Sequence, residues 1–371
     1  MTELGQPAKL SSELMRRVSP DFTARCLPEM AQLEQLIHTH AKQLTVRTLA
    51  FVEHQALQLT ESQSETQLYK LPIYSLRLGS DDPAAPTLAF VGGVHGVERI
   101  GTRLLLTFLS SLLQRLQWDR GLSHELQHLR LVFCPLLNPA GMALGQRSNA
   151  NGVDLMRNSP QNATDKATWM VGGHRLSNRL PWYRGVKDSP METEAQALCD
   201  WVRDELFDSP LSIVLDCHSG FGLRDRIWFP MAGSRAPLHH RAEIAALIHL
   251  FETTNPHHNY IIEPQHHSYL THGDLWDYLY HQSLSLEGKV FLPLTLEMGS
   301  WSWVKKNPRQ LISFMGLFNP LVPHREKRTM RRHLLLLEFL IRSSCAYEAW
   351  LPGTPMSRLR YELEAKQRWY G

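Results

Sequence analysis

Short apolar runs alternate with helical segments along most of this chain, and that alternation limits the folds that it can adopt. The runs are short and almost fully apolar, as strands buried on both faces are: Thr87–Val91, Leu129–Leu137, Leu211–Asp216 and Phe291–Leu296. Segments with helical periodicity lie between them: Ile100–Leu116, Glu192–Leu206 and Arg241–Phe251. The alternation predicts an α/β fold with a mixed, mostly parallel twisted sheet and helices on both faces. Ligands bind beyond the carboxyl ends of such strands, so the loops there are the first places to examine.

Further elements flank the alternating part. Helical periodicity predicts a helix at Pro28–Ala41 and a C-terminal helix that opens with Arg331–Ile341. Two strands are predicted at Leu44–Val52 and Leu68–Leu78, and the polar stretch Thr60–Thr66 separates them. No composition shift marks a domain boundary. We therefore expect residues 1–371 to form a single domain, with an N-terminal helical extension (1–43), a catalytic core (44–320) and a C-terminal helical segment (321–371).

Composition excludes several classes of protein. The formal net charge is only +3, which argues against an obligate nucleic-acid binder. No apolar run reaches the length of a membrane span, and the first twenty residues lack the apolar core of a signal peptide. The five cysteines are scattered and suggest neither a disulfide framework nor a zinc knuckle. We expect a cytoplasmic protein that binds no nucleic acid and no membrane; its oligomeric state stays open.

The first candidate loop follows Thr87–Val91 and reads Gly-Gly-Val-His95-Gly96-Val-Glu98. If the next helix begins near Gly96, His95 and Glu98 are three positions apart and can point to one place. The competing interpretation is a structural histidine near a helix N-terminus, where Glu98 is electrostatically favoured.

Two further strand ends carry chemically active side chains. His218 lies two positions after the strand Leu211–Asp216. Together with His95 and Glu98 it completes the N, N, O donor set of a catalytic zinc site with an open position. Glu297 ends an apolar strand, where a carboxylate is unfavourable unless it is paired or used. A glutamate beside such a metal is the expected general base for metal-assisted hydrolysis.

The fourth candidate is the polar segment from Arg147 to Asn158, Arg-Ser-Asn-Ala-Asn-Gly-Val-Asp-Leu-Met-Arg-Asn. It contains two arginines, Arg147 and Arg157, and one acid, Asp154. The segment is therefore either an anion-recognising patch or a solvated polar loop.

Together the segments HGVE, NPAG, RSNANGVDLMRN, DCHSG and TLEMGS occur in an order that resembles the zinc carboxypeptidases of the M14 type. Among these, the chain is most similar to bacterial cytoplasmic members such as the murein tripeptide amidases. The resemblance extends from about Leu71 to Ser300. It implies a zinc carboxypeptidase-like fold, one Zn²⁺ per chain and a peptide or acylated amino acid as substrate.

The resemblance also implies a role for each matching residue. His95, Glu98 and His218 match the zinc ligands, and Glu297 matches the catalytic base. Asp154 matches the carboxylate that orients the first histidine ligand. Substrate-facing roles are implied for four more residues: Arg147 polarises the scissile carbonyl, Arg157 and Asn158 bind the substrate carboxylate, and Tyr269 covers the site, with Tyr260 and Tyr278 as competing candidates.

One position departs from the family pattern. Met156 stands where the family usually has an asparagine before the second arginine. A thioether is a weak acceptor and no donor, so it cannot replace an amide that binds the substrate carboxylate. The departure bears on substrate recognition and leaves the hydrolytic residues intact.

The leading hypothesis is a zinc-dependent hydrolase that cleaves a peptide or amide bond next to a free carboxylate, with Glu297 taking the proton of a zinc-activated water. The alternative is an N-acyl amino acid deacylase that resembles aspartoacylase and succinylglutamate desuccinylase. A non-catalytic binding module on the same scaffold is disfavoured because the three ligands and the base are all present.

Overall fold

A computed structural model of the chain describes residues 26–59 and 64–371. At its centre is one eight-stranded sheet with the strand order β1-β2-β4-β3-β5-β8-β6-β7. The strands are β1 Thr45–Leu59, β2 Ser64–Gly79, β3 Thr87–Gly92, β4 Arg130–Cys134, β5 Leu211–Ser219, β6 Arg226–Phe229, β7 Ile261–Pro264 and β8 Val290–Met298.

The four central strands of the sheet, β4, β3, β5 and β8, are parallel neighbours. Antiparallel pairing occurs on both sides of this central part, where β2 joins β4 and β6 joins β8. The residues of β3, β4 and β5 are buried along their whole length. That burial explains why these strands are nearly continuous apolar runs instead of alternating ones.

Helices cover both faces of the sheet. In chain order they are α1 Pro28–Thr39, α2 Arg99–Arg115, α3 Arg120–Gln127, α4 Pro139–Leu144, α5 Thr193–Leu206, α6 Arg241–Thr254, α7 Leu275–Ser283, α8 Trp301–Lys306, α9 Pro323–Cys345, α10 Tyr347–Trp350 and α11 Pro355–Ala365. Two successive residues of β5 show the two faces. Gly101 of α2 packs against Cys217, whereas Trp276 of α7 donates a hydrogen bond to Asp216. Cys217 therefore points away from the face of Asp216, as the alternation of strand side chains requires.

The predicted α/β architecture is confirmed, with differences at several elements. β1 and β2 are longer than the predicted strands, and they form a long antiparallel hairpin. The C-terminal helix predicted from Arg331 begins eight residues earlier, because α9 starts at Pro323. Strands β6 and β7 were not predicted, because each has only four residues and shows no periodicity. The predicted N-terminal extension falls partly outside the described residues.

The apolar core lies between the sheet and its helices. α2 buries eleven residues, six of which are leucines. No helix of the described residues combines the length and the hydropathy that a membrane crossing requires.

Candidate metal centre and active site

The loop after β3 brings His95 and Glu98 together by a turn and not by a helix. Helix α2 begins at Arg99, next to the predicted start at Ile100, and in the turn before it the backbone N–H of Glu98 donates to the carbonyl of His95 at 3.0 Å. Gly96 is required here for close packing, since a Cβ would lie 2.1 Å from the carbonyl carbon of Gly141. The turn still places both side chains beyond the carboxyl end of β3, as the sequence predicted.

His218 reaches the same place from the end of β5. Its Nδ1 lies 3.1 Å from Oε2 of Glu98, and the backbone N–H of Ser219 donates to the same oxygen at 2.9 Å. The rings of His95 and His218 are 5.0 Å apart between centroids. All three side chains are buried.

These three residues form a group that fits a metal ion. Each of the three side chains offers one potential ligand atom, and these three atoms lie within 4.8 Å of one another; the residues are His95, Glu98 and His218. Nδ1 of His95 is also buried, and no group in residues 26–59 and 64–371 forms a hydrogen bond with it. Burial and the Arg147 guanidinium hold the pKa of His95 well below its usual range, so its ring is neutral, as a ligand must be. Two nitrogens and one carboxylate are the donors of catalytic zinc sites.

A carboxylate lies close to each of the two histidines. Asp154 Oδ1 lies 3.7 Å from Nδ1 of His95, which is longer than a hydrogen bond. Asp216 makes a closer contact, because its Oδ2 lies 2.7 Å from Nε2 of His218 and also accepts from the indole N–H of Trp276 at 2.9 Å. Although burial lowers it, Asp216 and Glu98 raise the pKa of His218 well above its usual range.

Sequence reasoning missed the role of Asp216. The signal was available, since residues two apart on a strand share a face and Asp216 stands two positions before His218. Trp276 could not be found in that way, because it reaches Asp216 from α7, sixty positions along the chain.

Arg147 lies directly against the predicted metal ligands. It donates to Glu98 Oε1 at 2.8 Å and to Asp154 Oδ2 at 3.0 Å, and its Nη2 lies 2.6 Å from Nε2 of His95. The two carboxylates hold the guanidinium at the edge of the metal group, where it can meet a carbonyl oxygen of a bound substrate.

Glu297 is the last but one residue of β8 and lies beside His218 of β5 in the sheet register. It accepts a hydrogen bond from the backbone N–H of Phe221 at 2.9 Å. Burial and the nearby Glu98 carboxylate raise the pKa of Glu297 to about 8, while His218 opposes that shift. A carboxyl with this pKa can exchange protons near neutral pH, which suits a general base.

A cavity of about 190 Å³ opens over this group, and Arg147, Arg157, Tyr269 and Glu297 are among the residues that line it. The Tyr269 ring contacts Phe221 and Trp228, and the Arg157 guanidinium lies 5.8 Å from its centroid. Burial raises the pKa of the Tyr269 hydroxyl. The competing tyrosines lie elsewhere: the Tyr260 hydroxyl contacts His333, and Tyr278 lines a separate groove.

In the segment around Arg157, one residue lies in a different place from the one that the sequence suggested. Arg157 is buried and lines the cavity, and its Nη2 has no hydrogen-bond partner among the residues that the structure describes. Met156 also lines the cavity. Asn158, expected to bind substrate, does not line it. Its amide donates to the carbonyl of Arg184 at 3.1 Å and accepts from the N–H of Glu192 at 2.7 Å, so it holds the loop in place.

Comparison with known proteins agrees with this geometry. The sequence profile of the zinc carboxypeptidase (peptidase M14) family matches residues 53–298. The chain is 32% identical over 180 residues to the carboxypeptidase N catalytic chain of Rattus norvegicus, a match that covers 43% of this chain and 38% of that protein. It is 27% identical over 146 residues to carboxypeptidase SOL1 of Arabidopsis thaliana, covering 38% of this chain and 26% of that protein. The matched part is thus well under half of either relative.

Solved structures show the same fold. Carboxypeptidase A from Helicoverpa armigera superposes with a TM-score of 0.60 at 17% identity, covering 85% of this chain and 72% of that one. Bovine thrombin-activatable fibrinolysis inhibitor in complex with tick carboxypeptidase inhibitor gives 0.59 at 16% identity, covering 91% and 100%. The fold, the ligand group and the profile match, which spans about two thirds of the chain, lead to one conclusion: this chain belongs to the zinc carboxypeptidase (peptidase M14) family.

Proposed function

We propose that the chain is a zinc-dependent hydrolase that cleaves a peptide or amide bond next to a free carboxylate. The observation that carries the proposal is a single cavity that combines a metal-binding group, a buried base and a buried arginine, to which the described residues supply no counterion. The metal group is His95, Glu98 and His218, the base is Glu297, and the arginine is Arg157. A site for water activation and a site for an anionic substrate group therefore share one small space.

Each side chain has a definite task in such a reaction. Zinc held by His95, Glu98 and His218 would supply Lewis acidity and a positive charge beside the reacting groups. That charge favours the ionised carboxylate of Glu297, which then accepts the proton of the attacking water and passes it to the leaving amine. Arg147 donates hydrogen bonds to the oxygen on which negative charge develops.

Arg157 orients the substrate. Its guanidinium is buried, and it makes hydrogen bonds to the carbonyl oxygens of Val171 and Met156 while Nη2 stays unpartnered. A substrate carboxylate would supply the missing acceptor and the missing negative charge. The Tyr269 ring beside Arg157 closes the same side of the cavity and limits access of bulk water.

An N-acyl amino acid deacylase is the second candidate. The observation behind it is Met156, which lines the cavity where the carboxypeptidase pattern usually has an asparagine, so this side of the substrate site departs from the peptidase pattern. A murein-peptide amidase remains a further form of the leading proposal. The cytoplasmic location also stays a prediction from the sequence.

Hydrolysis of a substrate panel by zinc-loaded protein tests the proposal. The panel contains peptides with a free C-terminal carboxylate, the same peptides as C-terminal amides, γ-glutamyl peptides of a diamino acid, and N-acyl amino acids. We expect cleavage of the free-carboxylate peptides only, one zinc bound per chain, and loss of cleavage in Glu297→Gln. Cleavage restricted to N-acyl amino acids would establish the deacylase instead.

A further inference from the structure

Helix α2 begins directly after a residue whose side chain belongs to the metal group. This N-cap residue is Glu98, and in the part of the chain that the structure describes its side chain makes no capping hydrogen bond to the helix. Its carboxylate is used elsewhere, since Oε1 accepts from Arg147 and Oε2 accepts from the backbone N–H of Ser219. An N-cap side chain normally accepts from the N–H of the second or third helical residue, which otherwise needs another partner. The use of Glu98 as a metal ligand therefore requires a different cap for α2.

Asn319 supplies this cap from a distant part of the chain. Its Oδ1 accepts a hydrogen bond from the backbone N–H of Ile100, the second residue of α2, at 3.0 Å. Its Nδ2 donates to the carbonyl oxygen of Val97 at 2.7 Å and to that of Met315 at 3.0 Å. The amide is buried. One side chain thus holds the backbone on both sides of Glu98.

The segment that carries Asn319 also contacts the loop of the second histidine ligand. The carbonyl oxygen of Phe318 accepts a hydrogen bond from the hydroxyl of Ser219, the residue after His218, at 2.7 Å. Gly220 packs on the Phe318 ring so closely that a Cβ would lie 2.8 Å from it. The two loops that provide the metal group therefore rest on the same short segment.

Gln310 fixes the backbone of this segment. It is fully buried, and its Nε2 donates to the carbonyl oxygen of Gly316 at 2.8 Å and to that of Asn319 at 3.1 Å. Gly316 packs so closely here that a Cβ would lie 2.4 Å from the carbonyl oxygen of Gln310. The Asn319 amide is therefore held on a fixed backbone, as a group that positions a functional site must be.

We propose that Asn319 is a positioning residue for the metal centre, which caps α2 so that the Glu98 carboxylate stays available to zinc. Asn319 acts through the backbone on both sides of Glu98 and not through a bond to the metal. Without its amide, the start of α2 and the turn before it would leave this conformation in a fraction of the molecules. The apparent affinity for zinc falls by the same fraction, because only the remaining molecules present all three ligands together. The inference rests on the zinc of the proposed function but not on the substrate or the bond that is cleaved.

The zinc affinity of Asn319→Ala, measured by competition with a chelator of known affinity, tests the inference. We expect zinc binding to weaken by about 10-fold, the lower end of the range for groups that orient a metal ligand. Asp119→Ala is the matched control, because Asp119 caps α3 through the N–H of Leu122 and is not among the residues that line the cavity. Both variants lose a helix cap, so both zinc-free proteins should unfold at a lower urea concentration than the wild type. Only Asn319→Ala should also lose zinc affinity; if folded Asn319→Ala binds zinc as tightly as Asp119→Ala does, the inference is overturned.

Gln310→Leu is the second variant, for the case in which Asn319→Ala does not fold. It removes the two hydrogen bonds that fix the segment but keeps the Asn319 amide, so zinc binding should weaken in the same direction and by less. A wild-type zinc affinity in this variant would then count against the inference. Because these measurements use no substrate, the two proposals fail separately. A protein that binds zinc but cleaves no member of the substrate panel contradicts only the proposed function, whereas equal zinc affinities contradict only the role of Asn319.

Discussion

The pair Asp216 and His218 leads to the most direct prediction about the metal centre. Asp216 is fully buried, and its Oδ2 contacts both Nε2 of His218 and the indole N–H of Trp276. Asp216→Asn keeps an acceptor oxygen for both contacts but removes the negative charge. The histidine then becomes a weaker donor to the metal, and its ring orientation rests on a neutral hydrogen bond.

The expected size of the effect follows from the geometry. The His218–Asp216 contact of 2.7 Å is short, as hydrogen bonds to a charged partner are, and the Asp216 side chain is fully buried. Removal of such a partner typically weakens metal binding by about 10- to 100-fold. At about 1.4 kcal/mol per tenfold change, Asp216→Asn should reduce the free energy of zinc binding by about 1.4–2.8 kcal/mol. Trp276→Phe, which removes only the second donor to Asp216, should have a smaller effect in the same direction.

Competition with a chelator of known affinity measures the change without any substrate. Trp350→Phe is the matched control for Trp276→Phe, because the Trp350 indole also makes one buried hydrogen bond, 2.7 Å to the carbonyl of Ser343, far from the metal ligands. Circular dichroism of the zinc-free proteins separates a loss of folding from a loss of metal. If well-folded Asp216→Asn binds zinc within twofold of the wild type, Asp216 does not position His218 and the reasoning is refuted.

Three further predictions concern the base, the anion site and the cavity acid. Glu297→Gln should lower kcat by at least about 100-fold while zinc content stays the same, since it removes a general base; zinc loss would instead reveal a structural defect. Arg157→Gln should raise KM for free-carboxylate peptides and abolish the preference over C-terminal amides, which a comparison of the two peptide sets measures. Burial and the neighbouring Asp277 raise the folded-state pKa of Asp274, which lines the cavity, from 3.8 to about 7, so its protonated form stabilises the fold below pH 4 and this contribution is lost as pH rises to about 7. Relative to wild type, zinc-free Asp274→Asn should therefore become more stable between pH 5 and pH 8 in urea unfolding, and a pH-independent difference would contradict that pKa.

Local patterns were sufficient to predict much of the fold and of the site. Buried parallel strands are apolar throughout, so β3, β5 and β8 are visible as short runs. Each run ends at the sheet edge where ligands bind, and His95, His218 and Glu297 lie within three residues of a strand end. The helix predicted from Ile100 begins at Arg99, but the close packing of Gly96 on Gly141 in the turn before it is a contact between distant segments that no local pattern predicts.

The contacts of Asn158 could not be predicted from its position in a sequence motif. Its position beside Arg157 suggested a substrate contact, but the side chain is used to hold the loop to Arg184 and Glu192. In an irregular segment, the direction of a side chain depends on the backbone torsions of that segment. Those torsions follow from contacts that no periodicity in the sequence predicts.

The sequence by itself determined the fold class, the family resemblance and the residues able to hold and use a metal, because each depends on residues close together or on motifs in a characteristic order. Only the tertiary structure decided which other groups contact these residues or lie in the same cavity. Trp276 reaches Asp216, Gly273 packs on Arg157, and Asp274 lines the same cavity as Glu297. These contacts join segments far apart in the chain, so they exist only once the sheet and the loops at its edge have assembled.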